Sequence, residues 1–343
     1  MRTEIFEQPA ALRATISALL PRTAAVAAIA QNARQVLFFA RGTSDNAAVY
    51  GTYLIQTRTG RLASLGSPSV ATTYRSRIDL SGVMAVGLSQ SGRTEEIVET
   101  LQWARDCGAS VVGITNGAGS PLAELSDVAL VTEAGQERAV PATKTFTCQL
   151  AALAVLAIGL GADLDAGQLK QAPGVIEDLL AAATTPEYGI EPVVAELAAV
   201  DGLMVSARGL AYSAALELAL KIKEACYLHA MGISWADLQH GPIAVVDAKT
   251  PAIIMAADSG PTQAAAVALA RRVTGAGARA YAIGGGAELA AVSSRALAGP
   301  VLPEWLAPLG LIVPGQILTE ELSRRLGIDP DNPRGLSKVT QTA

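Results

Sequence analysis

The sequence predicts an α/β protein of two tandem subdomains, each a doubly wound parallel sheet flanked by helices, ending in a C-terminal tail. Two observations carry this. Short apolar runs rich in β-formers alternate with amphipathic helical stretches, the pattern of a parallel sheet covered on both faces. The pattern then recurs at an offset of 167–169 residues. LMVSARG (203–209) matches LFFARG (37–42), IIMAADSGPT (253–262) echoes AVGLSQSGRT (85–94), and ARAYAIGG (278–285) parallels ASVVGITN (109–116). A chain of 343 residues is also longer than one ordinary core accommodates.

In chain order, residues 1–30 read as a helical N-terminal segment and 31–165 as the first subdomain. Its strands are VLFFA (36–40), MAVGLS (84–89), SVVGIT (110–115) and VALVT (128–132), each followed by a turn and most by a helix. A long apolar helix over 145–161 closes it. Residues 166–195 read as a linker containing the turn-rich TTPEYGIEP. The second subdomain, 196–328, repeats the rhythm and ends in the helix PGQILTEELSRRLG. The tail, 329–343, is DPDNPRGLSKVTQTA, in which Pro330 and Pro333 are expected to hold the chain extended.

Composition excludes several function classes. A net charge of −5, with basic residues scattered, disfavours a nucleic-acid or anionic-membrane surface. Aromatics are 4% of residues, too few for a flat stacking face. Cys107, Cys148 and Cys226 form no CxxC and no metal spacing, so they read as reduced packing residues. The acidic start MRTEIFEQP lacks the apolar core of a signal peptide, and the apolar run 150–162 is too short to span a bilayer. A soluble cytoplasmic protein is expected.

The strand ends of the first half carry the polar chemistry. SQSGRT places Ser89, Gln90, Ser91 and Thr94 in one strand-to-helix turn, beside RGTSDN (41–46) from the preceding βα unit. Ligands of open α/β sheets bind at these carboxyl ends. Hydroxyls, an amide and a helix N-terminus suit a phosphate monoester. A single Ser or Thr here would read as an ordinary helix cap, but four polar residues in one turn favour phosphate. No GxxxxGK[ST] or GxGxxG accompanies the turn, which disfavours a nucleotide.

In the second half, the helix over 213–230 is apolar nearly all round, yet Glu217, Lys221 and Glu224 share one face at i, i+4 and i+7. An intrahelical salt bridge is the plain account. Burying such charges is costly, which favours a stripe facing a site. Both histidines of the chain follow. His229 is expected to continue the helix as a packing residue, and His240 sits in a Gly-Pro turn where proton transfer is open to it.

Taken together, EIFEQP (4–9), RGTSDN, LSQSGRTEE, VPATKTFTCQL (140–150), ELALKIKEACYLHA, LQHGP and DNPRGLSK (331–338) resemble the sugar isomerase (SIS) family, and within it the isomerase half of glutamine–fructose-6-phosphate aminotransferases. The resemblance runs through nearly the whole chain. It implies a phosphate pocket at Ser89, Gln90, Ser91 and Thr94, with sugar contacts at Thr43, Ser44, Val140 and Ser337. Glu224 matches the base that moves a proton between sugar C1 and C2. His240 matches a ring-opening histidine lent by a neighbouring subunit, so a homodimer is implied. Lys338 matches a lysine that forms a Schiff base with the open ketose, and Glu217 and Lys221 match supporting positions. No cofactor and no metal are implied.

Several departures bear on the reaction. The aminotransferases carry a glutaminase domain whose catalytic cysteine follows the initiator methionine, whereas residue 2 here is Arg and the sugar motifs begin within about forty residues. Arg93 and Ala142 replace an acid and a serine, and Asp237-Leu238-Gln239 replaces a Glu-Leu-Lys. The implied reaction is therefore deamination of glucosamine 6-phosphate to fructose 6-phosphate and ammonia. A fructosamine-6-phosphate deglycase, an ammonia-dependent glucosamine-6-phosphate synthase and a non-catalytic sugar-phosphate sensor are the alternatives. Substrate profiling separates the deaminase from the deglycase, and binding without turnover marks the sensor.

Overall fold

The computed structural model describes residues 1–338 and contains two five-stranded, all-parallel sheets. The strands are β1 (Gln35–Phe39), β2 (Leu62–Leu65), β3 (Val83–Leu88), β4 (Ser110–Thr115) and β5 (Val128–Val131), then β6 (Gly202–Ala207), β7 (His229–Ser234), β8 (Ala252–Ala256), β9 (Ala280–Gly284) and β10 (Arg295–Leu297). Helices α1 (Arg2–Phe6), α2 (Gln8–Leu19) and α3 (Thr23–Ile29) precede the first sheet. Between and after its strands come α4 (Gly42–Thr59), α5 (Pro68–Thr72), α6 (Glu95–Asp106), α7 (Pro121–Leu125), α8 (Lys144–Gly159) and α9 (Ala166–Ala183). The remainder are α10 (Ile190–Leu197), α11 (Tyr212–Cys226), α12 (Trp235–Gln239), α13 (Gln263–Gly275), α14 (Gly286–Val292) and α15 (Ala307–Arg325).

The strand orders are β2-β1-β3-β4-β5 and β7-β6-β8-β9-β10, one topology used twice. In each, the winding direction reverses beside the first strand, between β1 and β3 and between β6 and β8. That reversal splays the following loops apart and creates the crevice where doubly wound folds bind ligands. Register places Phe39 opposite Gly87, so RGTSDN and SQSGRT leave neighbouring strand ends.

The described chain divides into two compact units that do not follow sequence order. A first unit gathers residues 10–137, 144–170 and 337–338; a second gathers 1–9, 138–143 and 171–336. The first unit is built on β1–β5. Val86, Val111, Val112 and Ile114 lie inside its sheet, and Phe39 stacks edge-on against Trp103 with ring centroids 6.4 Å apart. In the second unit α11 packs on α15 and β7. A Cβ at Gly315 of α15 would sit 2.9 Å from the Leu218 methyls of α11, so a larger residue there requires Leu218 to shift.

Three strands escape the sequence pattern. β2, β7 and β10 lie at sheet edges, and β2 and β10 present mostly exposed residues. His229 corrects an expectation: it opens β7 rather than continuing α11. The helix stops because Tyr227 takes a left-handed conformation, φ 58. Of the segment read as a linker, most is helical, in α9 and α10. The stretch Gln8–Ile29 is long and apolar enough to cross a membrane by length and composition alone. It carries Arg13 and Arg22, is interrupted by a 3-10 turn at Leu20–Arg22, and buries Leu12, Ile16, Leu19 and Val26. Thr15 on it donates to Thr132 O.

The tail is a run of turns rather than the extended segment expected. Asp329 accepts the Asp331 N–H (2.9 Å) and the Asn332 side chain (3.0 Å), a local Asx-type closure. Val140 N–H donates to Asp331 O at 3.0 Å, and Arg334 N–H donates to the Tyr227 hydroxyl at 2.7 Å, with the Arg334 guanidinium 4.3 Å above the same ring. Residues 339–343, the end of the predicted tail, lie outside the described residues.

Candidate active site

In the first unit the turn after β3 is closed by its own hydroxyls. Ser89 is buried, its Oγ lies 2.9 Å from Thr94 Oγ1, and it accepts the Gly92 N–H at 3.2 Å. Ser91 Oγ accepts the Arg93 N–H at 3.2 Å. Thr94 stands at the N-cap of α6, and its hydroxyl makes no side-chain cap bond. Gly92 has φ +64, and a Cβ there would come within 2.1 Å of Ser120 Oγ. The glycine is a geometric requirement, and it gathers hydroxyls and backbone N–H groups in one turn at a helix N-terminus, where the helix dipole favours anions.

The neighbouring turn is tied to it. Arg41 donates to both carboxylate oxygens of Glu96, at 2.9 and 2.7 Å, bridging the loop after β1 to the first turn of α6. Thr43 and Ser44 occupy the first turn of α4. Ser44 is buried, and its Oγ accepts Gln149 Nε2–H at 2.9 Å from α8. That bond uses an acceptor position and leaves the Ser44 hydroxyl hydrogen for another acceptor. Burial raises the pKa of Asp45, on the same turn, against the opposing pull of Arg41. Sequence reading missed Arg41–Glu96 and Gln149; the only available signals were the acidic pair opening α6 and a lone glutamine in an apolar helix.

In the second unit the charged stripe of α11 forms as its spacing predicts. Glu217 and Lys221 are fully buried, with Lys221 Nζ 3.4 Å from Glu217 Oε1 and 2.5 Å from Glu224 Oε2. Glu224 is 22% exposed, so one lysine joins an internal carboxylate to one that solvent or a ligand can reach. The end of α11 that carries Glu224 is pinned to α15: Ser323 Oγ donates to Ala225 O at 2.8 Å. A buried ion triad is poor economy for stability alone, because desolvation consumes most of the Coulomb gain. Its chemical capacity is a reachable carboxylate with a fixed orientation.

The other residues are distributed as follows. His240 caps α12, is exposed, and its imidazole makes no hydrogen bond among the described residues. Val140 sits in the second unit, where Glu4 accepts the N–H groups of Arg138 (2.6 Å) and Ala139 (3.1 Å) just ahead of it. Ser337 is exposed, and Lys338 Nζ lies 3.3 Å from Glu137 Oε2 in the first unit. Thus Thr43, Ser44, Ser89, Gln90, Ser91, Thr94, Ser337 and Lys338 group in the first unit. Val140, Glu217, Lys221, Glu224 and His240 group in the second.

A family model, the SIS domain, matches residues 29–159 and 196–304. The chain belongs to the SIS domain family. Its relatives include the glutamine–fructose-6-phosphate aminotransferase [isomerizing] of Pyrococcus horikoshii, 33% identical over 341 residues, which cover 98% of this SIS chain and 57% of that enzyme. The chain therefore spans somewhat over half the length of the curated relatives it matches. Among solved structures, a protein of Silicibacter pomeroyi DSS-3, provisionally described as a phosphosugar isomerase, is 32% identical with a TM-score of 0.85 over 96% of this chain and 99% of that one. The C-terminal domain of the glucosamine-fructose-6-phosphate aminotransferase of Francisella tularensis gives the same TM-score at 26% identity, over 96% and 97% of the two chains.

Proposed function

We propose that this SIS protein is a phosphosugar isomerase acting on aminosugar 6-phosphates, converting glucosamine 6-phosphate to fructose 6-phosphate and ammonia. The observation that carries the reading is Glu224, a reachable carboxylate held by a buried lysine on a pinned helix end. Aldose–ketose interconversion asks for one group that lifts a proton from C2 and returns it to C1. Lys221 fixes the carboxylate without enclosing it, and Glu217 balances the lysine. In this reading Ser89, Gln90, Ser91 and Thr94 hold the phosphate, while Thr43, Ser44, Val140 and Ser337 contact the sugar. His240, exposed at its turn, opens the sugar ring in a neighbouring subunit of a homodimer, and Lys338 forms an imine with the open ketose. Proton transfer gives the enolamine and then the C2 imine, whose hydrolysis releases ammonia. The identity to aminotransferases favours, as a second reading, the reverse synthesis from fructose 6-phosphate and ammonia, which uses the same groups. Incubating the purified protein with glucosamine 6-phosphate tests the proposal: ammonia release that Glu224→Gln abolishes is expected. No release by the unaltered protein, or equal release by Glu224→Gln, contradicts it.

A further inference from the structure

Lys338, near the end of the described tail, has a partner that sequence reading did not assign. Its Nζ lies 3.3 Å from Glu137 Oε2; the glutamate side chain is wholly buried, and the lysine is about one quarter exposed. The carboxylate is anchored independently. It accepts the Thr145 backbone N–H at 3.3 Å and the Thr145 hydroxyl, both from the first turn of α8. The residue before it is fixed too, since Gln136 O accepts Lys144 Nζ–H at 2.7 Å. All these groups belong to the first unit, with the turn that carries Ser89 to Thr94. A buried carboxylate needs ionic or hydrogen-bonding partners to offset lost hydration. Thr145 provides hydrogen bonds, and Lys338 provides a partly exposed cation.

We infer that Glu137 holds the Lys338 amine and carries its proton during imine formation. The inference rests on the reading in which Lys338 forms an imine with the open ketose. Nucleophilic attack requires the neutral amine. Lys338 Nζ passes one proton to Glu137 Oε2, and the freed lone pair forms the N–C2 bond as the C2=O π electrons move to oxygen. A proton shift from nitrogen to that oxygen gives the carbinolamine. Its hydroxyl then takes the proton back from Glu137 and leaves as water, while nitrogen donates its lone pair to form the protonated imine. Glu137, again a carboxylate, faces the new cation. Atoms and charge balance without a co-reactant, and the carboxylate returns to its starting state.

Reductive trapping tests this. The protein is incubated with fructose 6-phosphate and sodium cyanoborohydride, and the rate of adduct formation on Lys338 is followed by peptide mass spectrometry. Circular dichroism and calorimetry report fold and sugar affinity alongside. Glu137→Gln keeps an oxygen that can accept from Thr145 but removes the charge. Displacing a reacting group by a fraction of an ångström costs rate steeply, so trapping is expected to slow by about tenfold or more while sugar affinity changes by less than about threefold. Glu137→Asp, which keeps the charge, is expected to fall between the two; it carries the comparison if Glu137→Gln does not fold. Trapping by either variant at the unaltered rate overturns the inference alone. An unaltered protein that gives no adduct on Lys338 overturns the imine reading and this inference with it.

Discussion

Replacing Lys221 with Met puts a number on the buried stripe of α11. Lys221 and Glu217 are both fully buried and 3.4 Å apart. At an effective dielectric near 20 their attraction is about 5 kcal/mol, against which the desolvation of both ions must be set. The substitution leaves Glu217 without that cation inside the protein, and breaking a buried pair from one side typically costs about 3–5 kcal/mol. The contact to Glu224 adds little, because that carboxylate is partly exposed and solvent screens it. Lys221→Met should therefore lower the melting temperature by roughly 6–20 °C, at about 2–4 °C per kcal/mol for a domain of this size. The paired change Glu217→Leu with Lys221→Met removes both buried charges and should recover most of that loss, since a hydrophobic replacement of a buried pair is often neutral or better. Calorimetry of the three proteins measures both effects. A single Lys221→Met variant within about 1 kcal/mol of the parent would refute the reasoning, because it would mean that Glu217 is not paying for burial.

Three further outcomes follow from other parts of the molecule. Gly92→Ala must adopt a positive φ and meet Ser120 Oγ, so it should lose about 1–2 kcal/mol from the backbone alone and bind sugar phosphates more weakly, as thermal unfolding and calorimetric titration would report. Burial alone would raise the pKa of Glu4, but bonds from the terminal ammonium and from the N–H groups of Arg138 and Ala139 outweigh it and hold the carboxyl below its ordinary value. A lowered folded pKa gives stability that is present above the unfolded value and lost as pH falls through the folded one. Stability should thus decline below about pH 4.5, and Glu4→Gln should be less stable at pH 7 but less sensitive across that acid window in urea titrations. Deleting residues 336–343 removes Lys338 and should abolish turnover while leaving the far-ultraviolet circular dichroism of both units unchanged; full activity in that truncation would make the tail dispensable.

What the sequence disclosed and what it concealed divide along physical lines. Central strands such as β3 and β4, buried on both faces, write continuous apolar runs that are readable to within a residue. Edge strands are short and paired on one side, so LASL of β2 and RAL of β10 carry no usable pattern. The α11 stripe was legible because helical spacing alone puts residues 217, 221 and 224 on one face. The end of α11 was not, since a left-handed Tyr227 carries no propensity signal that would place His229 in a strand. Long-range pairs such as Arg41–Glu96, Ser44–Gln149 and Glu137–Lys338 depend on which loops the topology brings together, and no local pattern encodes them. Tail residues 329–335 read from composition as extended by proline, whereas Asp329, Asp331 and Arg334 fold them into anchored turns.

The central claim is a proton transfer by Glu224, and deuterium uptake reads it most directly. Glucosamine 6-phosphate is converted in deuterated water and the fructose 6-phosphate formed is followed by proton magnetic resonance. A single base exchanging with solvent should place deuterium at C1, and Glu224→Gln should form no labelled ketose. Product that carries no deuterium at C1 in the unaltered protein is compatible with this account only if the C2 proton is found there intact, as substrate deuterated at C2 would show. Equal conversion by Glu224→Gln would contradict it.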